Sequence, residues 1–364
     1  MKALVLALAF AAAGSTASAQ ALKPVVVAKG LEHPWGLAFL PEGRMLVTER
    51  PGRMRVVERD GTLNPPLAGL PPVVAAGQGG LLDVVLHPQF ASNRLVYWSY
   101  SEAGDGGSAT AVARARLDGN RLADVQVIFR QLPKVGGGNN HFGSRLVWAR
   151  DGSLFVGLGD RFGRKDDAQT LDNHMGKVVR IDADGKPVPG NPFASRAGAR
   201  PEIWSYGHRN IQGAALHPDT GELWTVEHGP QGGDELNIPA AGANHGWPVI
   251  TYGRNYGIGT AIGDGVERAD VAPPIRHWVP TSIAPAGMAF LTSDRYPGWK
   301  GNLFIGTLRG AHLVRLQLDG RKVVREERLL TDRNTRIRDV RQGPDGWLYV
   351  LTDSPDGQLW RLER

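Results

Sequence analysis

The hexapeptide DGSLFV at residues 151–156 decides how this chain is read, because a turn dipeptide leads directly into an apolar, aromatic and β-branched run. Asp-Gly favours a tight turn, and Leu-Phe-Val suits a pleated, buried strand. The pattern returns as GRMLVT at 43–48, NRLVYW at 93–98, GELWTV at 221–226, GNLFIG at 301–306 and DGWLYV at 345–350, which makes six copies. Upstream of most copies stands a second strand-like segment ending at a turn: GLAFLP at 36–41, DVVLHP at 83–88, AALHP at 214–218 and GMAFL at 287–291. A strand, turn, strand unit recurring at roughly 45 to 80 residues is the signature of propeller blades with long connecting loops. The expected fold is therefore all-β, a six-bladed β-propeller with its active site over the central channel at the top face. A large β-sandwich or two β domains are the alternatives. Closure of the ring would leave no unpaired sheet edge, and VVVA at 25–28 is placed to complete the blade that ends with QLWRL at 358–362.

Composition agrees with many short strands: 48 Gly and 25 Pro punctuate the chain, and long helix-like periodicity is scarce. Lys2, an apolar run over 3–13 and the small-residue triplet ASA at 17–19 before Gln20 read as an export signal. The expected organisation is a signal peptide over 1–19 and one propeller domain over 20–364, with a periplasmic or secreted location and no membrane span. Cysteine is absent, so no disulfide contributes in an oxidising compartment. The net charge of +6 comes from dispersed basic residues without a Lys/Arg run, which argues against nucleic acid and suits an anionic small ligand or an acidic electron-transfer partner.

Candidate chemistry gathers at strand ends of different repeats. Gln78 lies in AGQGG, His141 in GNNHFG, Arg209 and Asn210 follow WSYGH, Arg309 ends TLR after Thr307 and Leu308, and Arg336 and Arg338 frame Ile337. A neutral imidazole among glycines and amides is a competent general base for a hydroxyl proton. Arg209, Arg309, Arg336 and Arg338, converging on one funnel, would receive several carboxylates or phosphates. The stretch EHGPQGGDELNIPAAGANHGWP at 227–248 places an Asp-Glu pair beside a Gly-Pro corner and a Gly-rich turn, oxygen ligands suited to a hard cation. No HExxH zinc motif, GxSxG elbow or Walker loop is present. The run DADG at 182–185 lacks the later ligands of a calcium loop and reads as a hairpin turn.

GQGGLLDVVLHPQF, NNHFGSRL, GLGDR, NHMGKVVRID, WSYGHRNIQG, EHGPQGGDELN, GANHGWP and TRIRDV together resemble the soluble quinoprotein aldose sugar dehydrogenases, relatives of soluble glucose dehydrogenase, from about Leu31 to Leu362. The resemblance implies a six-bladed propeller binding pyrroloquinoline quinone (PQQ) and Ca2+. It implies that His141 takes the sugar C1 hydroxyl proton while hydride passes to the quinone, and that Arg209 stabilises developing charge there. Gln78 and Asn210 would contact the cofactor or metal, while Arg309, Arg336 and Arg338, with Thr307, Leu308 and Ile337 beside them, would hold its carboxylates. Gly229 and Pro230 would offer carbonyls to the catalytic calcium. Glu235, a carbonyl of His245 and Asp234 as helper would form a second, structural calcium site. Asn140 stands where the glucose dehydrogenase branch has Asp, removing a carboxylate that could orient His141, and Arg309 stands where that branch has Lys. That branch's long insertion after GLGD is missing, which implies broad sugar acceptance and leaves monomer or homodimer open. Trp278 and Thr281 or Ser282 are expected site-wall residues. The function implied is oxidation of aldoses at C1 to lactones, with electrons passed to an external carrier. The alternatives from other classes are a calcium-dependent propeller hydrolase such as a lactonase, and a noncatalytic propeller that binds glycan or protein.

Overall fold

In the computed structural model, which describes residues 22–364, strands turn back on themselves in succession to give six small antiparallel sheets. The leader expected over 1–19 lies outside the described residues. Strand β1 (Lys23–Leu31) is set aside by the chain until the end. Blade 1 contains β2 (Pro34–Phe39), β3 (Met45–Glu49) and β4 (Arg53–Val57). Blade 2 contains β5 (Leu81–Leu86), β6 (Leu95–Gly104), β7 (Gly107–Asp118) and β8 (Arg121–Arg130). Blade 3 contains β9 (Gly143–Trp148), β10 (Leu154–Leu158), β11 (Lys177–Ile181) and β12 (Ile203–Tyr206). Blade 4 contains β13 (Ile211–Leu216), β14 (Leu223–Glu227), β15 (Asp234–Asn237) and β16 (Arg276–Trp278). Blade 5 contains β17 (Pro285–Phe290), β18 (Leu303–Thr307), β19 (Leu313–Asp319) and β20 (Lys322–Leu329). Blade 6 contains β21 (Ile337–Gln342), β22 (Leu348–Thr352) and β23 (Gly357–Glu363), and β1 returns to pair with β23.

Each of the six recurring hexapeptides overlaps the second strand of its blade, which is where a strand buried on both faces needs a continuous apolar run. The closure expected from VVVA occurs: Val25 faces Arg361, Val26 faces Trp360 and Ala28 faces Leu359. The first strands β2, β5, β9, β13, β17 and β21 contact one another in sequence and then back to β2, closing a ring around the channel. Six apolar clusters lie between successive blades, one of them joining Leu46 and Val56 of blade 1 to Val84 and Trp98 of blade 2. The core is thus divided among the blade interfaces.

The channel itself is closed by charge. Arg145 of β9 is 1% exposed and its Nη1 meets Asp83 of β5 at 3.2 Å and Asp339 of β21 at 2.9 Å. Arg341 binds the same two acids from the other side, at 2.8 and 2.9 Å. The backbone of blades 4 and 6 is tied in as well, since Arg145 Nε donates to the carbonyl of Gln212 and Nη2 to that of Arg338. A buried charge is tolerated only when paired and hydrogen-bonded, and this plug satisfies both conditions. In each antiparallel blade the start of the first strand and the end of the second lie at the same end, and His141, Asp160 and Arg209 occupy such positions.

Candidate active site

His141 sits in the segment that leads into β9, with a positive φ of 56° that its own side chain disfavours. Its N–H donates to Oε1 of Gln78 at 2.8 Å, which joins the entry of blade 3 to that of blade 2. Its ring Nδ1 lies 2.6 Å from Oδ1 of Asp160, just past the end of β10. That carboxylate is 0% exposed and accepts two more hydrogen bonds, from the Phe162 N–H at 2.8 Å and the Trp247 indole Nε1 at 2.7 Å. Burial works to raise the Asp160 pKa, but the hydrogen bond and charge of His141, the Arg209 charge and the Phe162 amide outweigh it and hold the group below the ordinary carboxylate value. A charged Asp160 fixes His141 as the Nδ1–H tautomer and leaves Nε2 for the cavity. Burial first, and then the Arg209 charge, lower the His141 pKa against the opposing pull of Asp160. The imidazole is therefore neutral at physiological pH. Gly159 makes the approach of the two strand-end segments possible, because a Cβ there would lie 2.1 Å from the His141 carbonyl oxygen.

Beside this pair lies Arg209, ahead of β13. Its N–H donates to Oε2 of Glu227 at 2.6 Å, its Nη1 to the carbonyls of His228 at 2.8 Å and Gly229 at 2.6 Å, and its Nη2 to the Tyr256 hydroxyl at 3.3 Å. The guanidinium carbon is 5.2 Å from the centre of the Trp247 ring, within cation–π range. His141, Asp160, Phe162, Arg209, Pro230, Trp247 and Tyr256 line one cavity of about 320 Å³.

Of the residues expected to hold a cofactor, Arg209 lines this cavity; the others are not among its lining residues and are tied by hydrogen bonds of their own. Asn210 is fully buried, with Oδ1 accepting from the Gly143 N–H and Gln212 Nε2, both at 3.1 Å. Arg338 donates to Gln212 Oε1 at 3.0 Å and shares Asp353 Oδ2 with Arg336, at 3.2 and 2.6 Å. The charges of Arg338 and Arg209 both act on half-buried His228, whose pKa desolvation and these charges push down to about 3. Leu308 accepts a hydrogen bond from Arg336 at 3.2 Å through its carbonyl, Thr307 caps its own turn through the His312 carbonyl, and Ile337 is buried opposite Thr352. Arg309 is exposed at the rim. Three buried nitrogens on these residues have no partner: Arg209 Nε, Asn210 Nδ2 and Arg338 Nε. Unpaired buried donors are costly, and three of them on residues of one funnel fit an acceptor-rich, anionic ligand.

Around the Asp-Glu pair the geometry separates the expected ligands. Successive strand residues face opposite ways, and the Asp234 carboxylate is used up by Gly229 N–H at 2.9 Å, Ile283 N–H at 2.7 Å, Ala284 N–H at 3.0 Å and the Ser282 hydroxyl at 2.8 Å. It braces the turn that presents Gly229 and Pro230. Glu235 lies directly across from Glu227 in the sheet, and the amide of Asn237 donates to both, at 3.1 and 2.9 Å. Burial and then the Glu227 charge push the Glu235 pKa up to about 8. Both ring nitrogens of His245 and Oδ1 of Asn237 are buried without partners nearby. Two carboxylates and a spare amide oxygen in one place suit a cation. Among the described residues no group of three or more His, Cys, Asp or Glu side chains is arranged to hold a metal ion, so carbonyls and water would have to supply the remaining oxygens.

Two expectations need correcting. Trp278 does not line the cavity: it sits in outer strand β16, packed in the interface between blades 4 and 5, with its indole on Glu326, and Ser282 is spent on Asp234. The carboxylate missing at Asn140 is supplied by Asp160, from a segment adjacent in space. Asp160 and Trp247 were visible only as parts of GLGDR and GANHGWP, without a reason to assign them a task. Glu227, which joins Arg209 to the Glu235 region, was likewise unassigned.

Fold and site together define a closed propeller that holds a carboxylate-oriented histidine beside Arg209 in one cavity. The model of the glucose/sorbosone dehydrogenases matches residues 31–361, and the chain belongs to that family. It is 49% identical over 337 residues to the aldose sugar dehydrogenase YliI of Escherichia coli, spanning 91% of this chain and 90% of that one. The crystal structure of the apo-form of the soluble E. coli aldose sugar dehydrogenase superposes with a TM-score of 0.91 at 47% identity, covering 94% of this chain and 99% of that one. The PQQ-bound aldose sugar dehydrogenase of Streptomyces coelicolor superposes with a TM-score of 0.79 at 31% identity, covering 94% and 98%.

Proposed function

We propose that this protein is a PQQ- and Ca2+-dependent dehydrogenase that oxidises aldose sugars at C1 to lactones and passes the electrons to an external acceptor. The observation that carries the reading is the neutral, buried His141, fixed by Asp160 at 2.6 Å in a cavity that Arg209 also lines, together with unpartnered buried donors on Arg209, Asn210 and Arg338. PQQ, when bound, supplies the acceptor for the hydride that leaves C1, and the protein supplies aim and charge. Arg309, Arg336 and Arg338 would hold its carboxylates, with Gln78, Asn210, Thr307, Leu308 and Ile337 completing the seat. Gly229 and Pro230 would give carbonyls to a calcium ion acting as Lewis acid, and Glu235 and His245 would serve a structural one.

The residues of the chain then have definite tasks. Nε2 of His141 takes the proton of the C1 hydroxyl, and the charged Asp160 steadies the imidazolium that results. Arg209 keeps a fixed positive charge in the cavity, its guanidinium restrained by two carbonyls and its backbone N–H by Glu227. The faces of Phe162, Trp247 and Tyr256 supply apolar walls for a sugar ring, and the absence of a long insertion after GLGD leaves the mouth open to a broad range of aldoses. The leader-like start of the chain supports a periplasmic or secreted location, and no helix among the described residues is long and apolar enough to cross a membrane.

The test is reconstitution. Apo-protein mixed with PQQ and Ca2+ is expected to reduce an artificial dye on addition of an aldose. H141Q is expected to keep PQQ binding while turnover falls by roughly 100-fold or more, the contribution of a general base. Absence of dye reduction, with no change in PQQ absorbance on sugar addition, sinks the proposal.

A further inference from the structure

Arg161 follows Asp160 and plays no part in the chemistry above, yet its side chain is only 1% exposed. Buried guanidinium groups normally face a carboxylate. Arg161 forms no ion pair among the described residues; its charge is met instead by carbonyls and a ring. Nη1 donates to the Asn140 carbonyl, and Nη2 donates to the Gly138 carbonyl at 2.8 Å and the Ser108 hydroxyl at 3.2 Å. Nε donates to the Ser108 carbonyl at 3.3 Å, and the guanidinium carbon lies 3.6 Å from the centre of the Phe142 ring. The backbone N–H of Arg161 donates to the His141 carbonyl at 3.3 Å. One side chain therefore grips the residues on both sides of His141 and anchors them to β7 of the neighbouring blade.

The segments it joins are strained. His141, Arg161 and Phe162 have φ of 56°, 54° and 60°, the left-handed region that non-glycine residues rarely occupy. Such conformations persist only where the surroundings over-determine them, and they concentrate at functional sites. Burying a guanidinium without a direct ion pair, with only the Asp160 charge acting on it from nearby, adds a further cost that packing alone does not explain.

We infer that Arg161 is a positioning residue, whose buried guanidinium fork locks the loop carrying His141 in the strained conformation that aligns the imidazole with Asp160 and the cavity. This inference rests on the reading of His141 as the base. A misplacement of about 1 Å at a reacting group costs on the order of 100-fold in rate, and that is the loss expected on removing the fork.

The experiment compares R161M, R161K and H141Q. R161M keeps length without donors; R161K keeps the buried charge without the planar fork, and decides the matter if R161M does not fold. At saturating PQQ and Ca2+, kcat is expected to fall about 100-fold in R161M and about 10-fold in R161K, with KM and the Kd for PQQ within about threefold of wild type. Proton NMR of the cofactor-free protein, with nitrogen-15 labelled histidine, gives a second readout. The downfield Nδ1–H resonance of His141 on Asp160, identified by its absence from H141Q, is expected to shift or vanish in both Arg161 variants while other histidine signals stay in place. Wild-type kcat and an unmoved resonance in R161K, and in R161M if folded, overturn the inference. If those results accompany an inactive H141Q, the base reading stands and only the positioning role falls. An H141Q variant with wild-type turnover overturns both.

Discussion

Replacing Asp160 by Asn probes the site most sharply, because the substitution keeps shape and changes only one oxygen into a donor. Oδ1 of Asp160 accepts from His141 Nδ1 at 2.6 Å and from the Phe162 N–H at 2.8 Å, whereas Oδ2 accepts from Trp247 Nε1 at 2.7 Å. An amide must turn its NH2 toward one side or the other. Turned toward His141, it opposes the Phe162 N–H and forces the imidazole into the Nε2–H tautomer, which cannot accept a proton from substrate. Turned toward Trp247, it sets donor against donor in a buried site and weakens the hold on the imidazolium. A hydrogen bond to a buried charged group contributes about 1.5–3 kcal/mol, which corresponds to roughly 10- to 150-fold in rate at 1.36 kcal/mol per decade. A strandedburied donor costs about 1–3 kcal/mol of stability as well. D160N is therefore expected to lose at least about tenfold in kcat at saturating PQQ and about 1–3 kcal/mol in urea unfolding of the apo-protein. Dye-linked turnover and a denaturation curve measure the two losses separately. A variant with kcat within about twofold of wild type and an unchanged midpoint would refute the assignment of Asp160 as the group that orients the base.

Two further outcomes follow from buried charge. The Glu235 pKa is raised from 4.5 to about 8, chiefly by burial and by Glu227, so without a cation this group contributes stability at low pH that is lost as pH rises from about 4.5 through about 8. Thermal unfolding in chelator should show that decline and E235Q should flatten it. Added Ca2+ should raise Tm more at pH 8 than at pH 5, because a ligand must be deprotonated to bind a cation, and saturation at 100 times Kd adds about 2.7 kcal/mol. Equal Tm in Ca2+ and in chelator across that range would rule out a cation site there. In the channel, R145L leaves Asp83 and Asp339 with Arg341 as their remaining cation. Breaking a buried pair costs about 3–5 kcal/mol, and a loss under about 1 kcal/mol in urea unfolding would show that the plug is not a source of stability.

The blades were legible because each second strand is buried on both faces and must be a continuous apolar run after a turn, a pattern that local sequence carries by itself. Blade 1 shows the limit. After β4 the chain reads TLNPPLAGLPP at 62–72, and prolines cannot donate to a ladder, so Asn64 and Leu67 make single bonds to Val56 and Met54 and no fourth regular strand forms. The site was legible in part. His141, Arg209, Asn210 and Gln78 stand in distinctive polar motifs at strand ends; His141 and Arg209 line one cavity, while Gln78 and Asn210 hold the backbone of His141 and Gly143. Asp160 was hidden because nothing in GLGDR states which histidine it will meet. That is settled by Gly159 allowing two backbone segments to touch, a contact between residues distant in sequence. Trp247 was hidden for the same reason, since its indole reaches Asp160 from the long insertion between β15 and β16. Strand alternation separated Asp234 from Glu235, and period-two reasoning applied to DELN could have found that.

The partners of the site residues show why this chemistry sits on a ring. His141 at the entry of blade 3 is held by Gln78 at the entry of blade 2, by Asp160 at the end of β10, and through Asp160 by Trp247 from blade 4. Arg338 of blade 6 reaches across the channel to Gln212 of blade 4, whose carbonyl is in turn held by Arg145 of blade 3. Apart from the His141–Asp160 bond, which lies within blade 3, these bonds join different blades, so they depend on the blades keeping their angle. That angle is fixed by the apolar clusters between blades and by closure, where β1 pairs with β23. Strain at His141, Arg161 and Phe162 is affordable on such a frame, because relaxing it would mean breaking hydrogen bonds anchored on other blades rather than moving one loop. The alignment of the base is in this sense a property of the closed ring, and a loop grafted without its neighbours would not retain it.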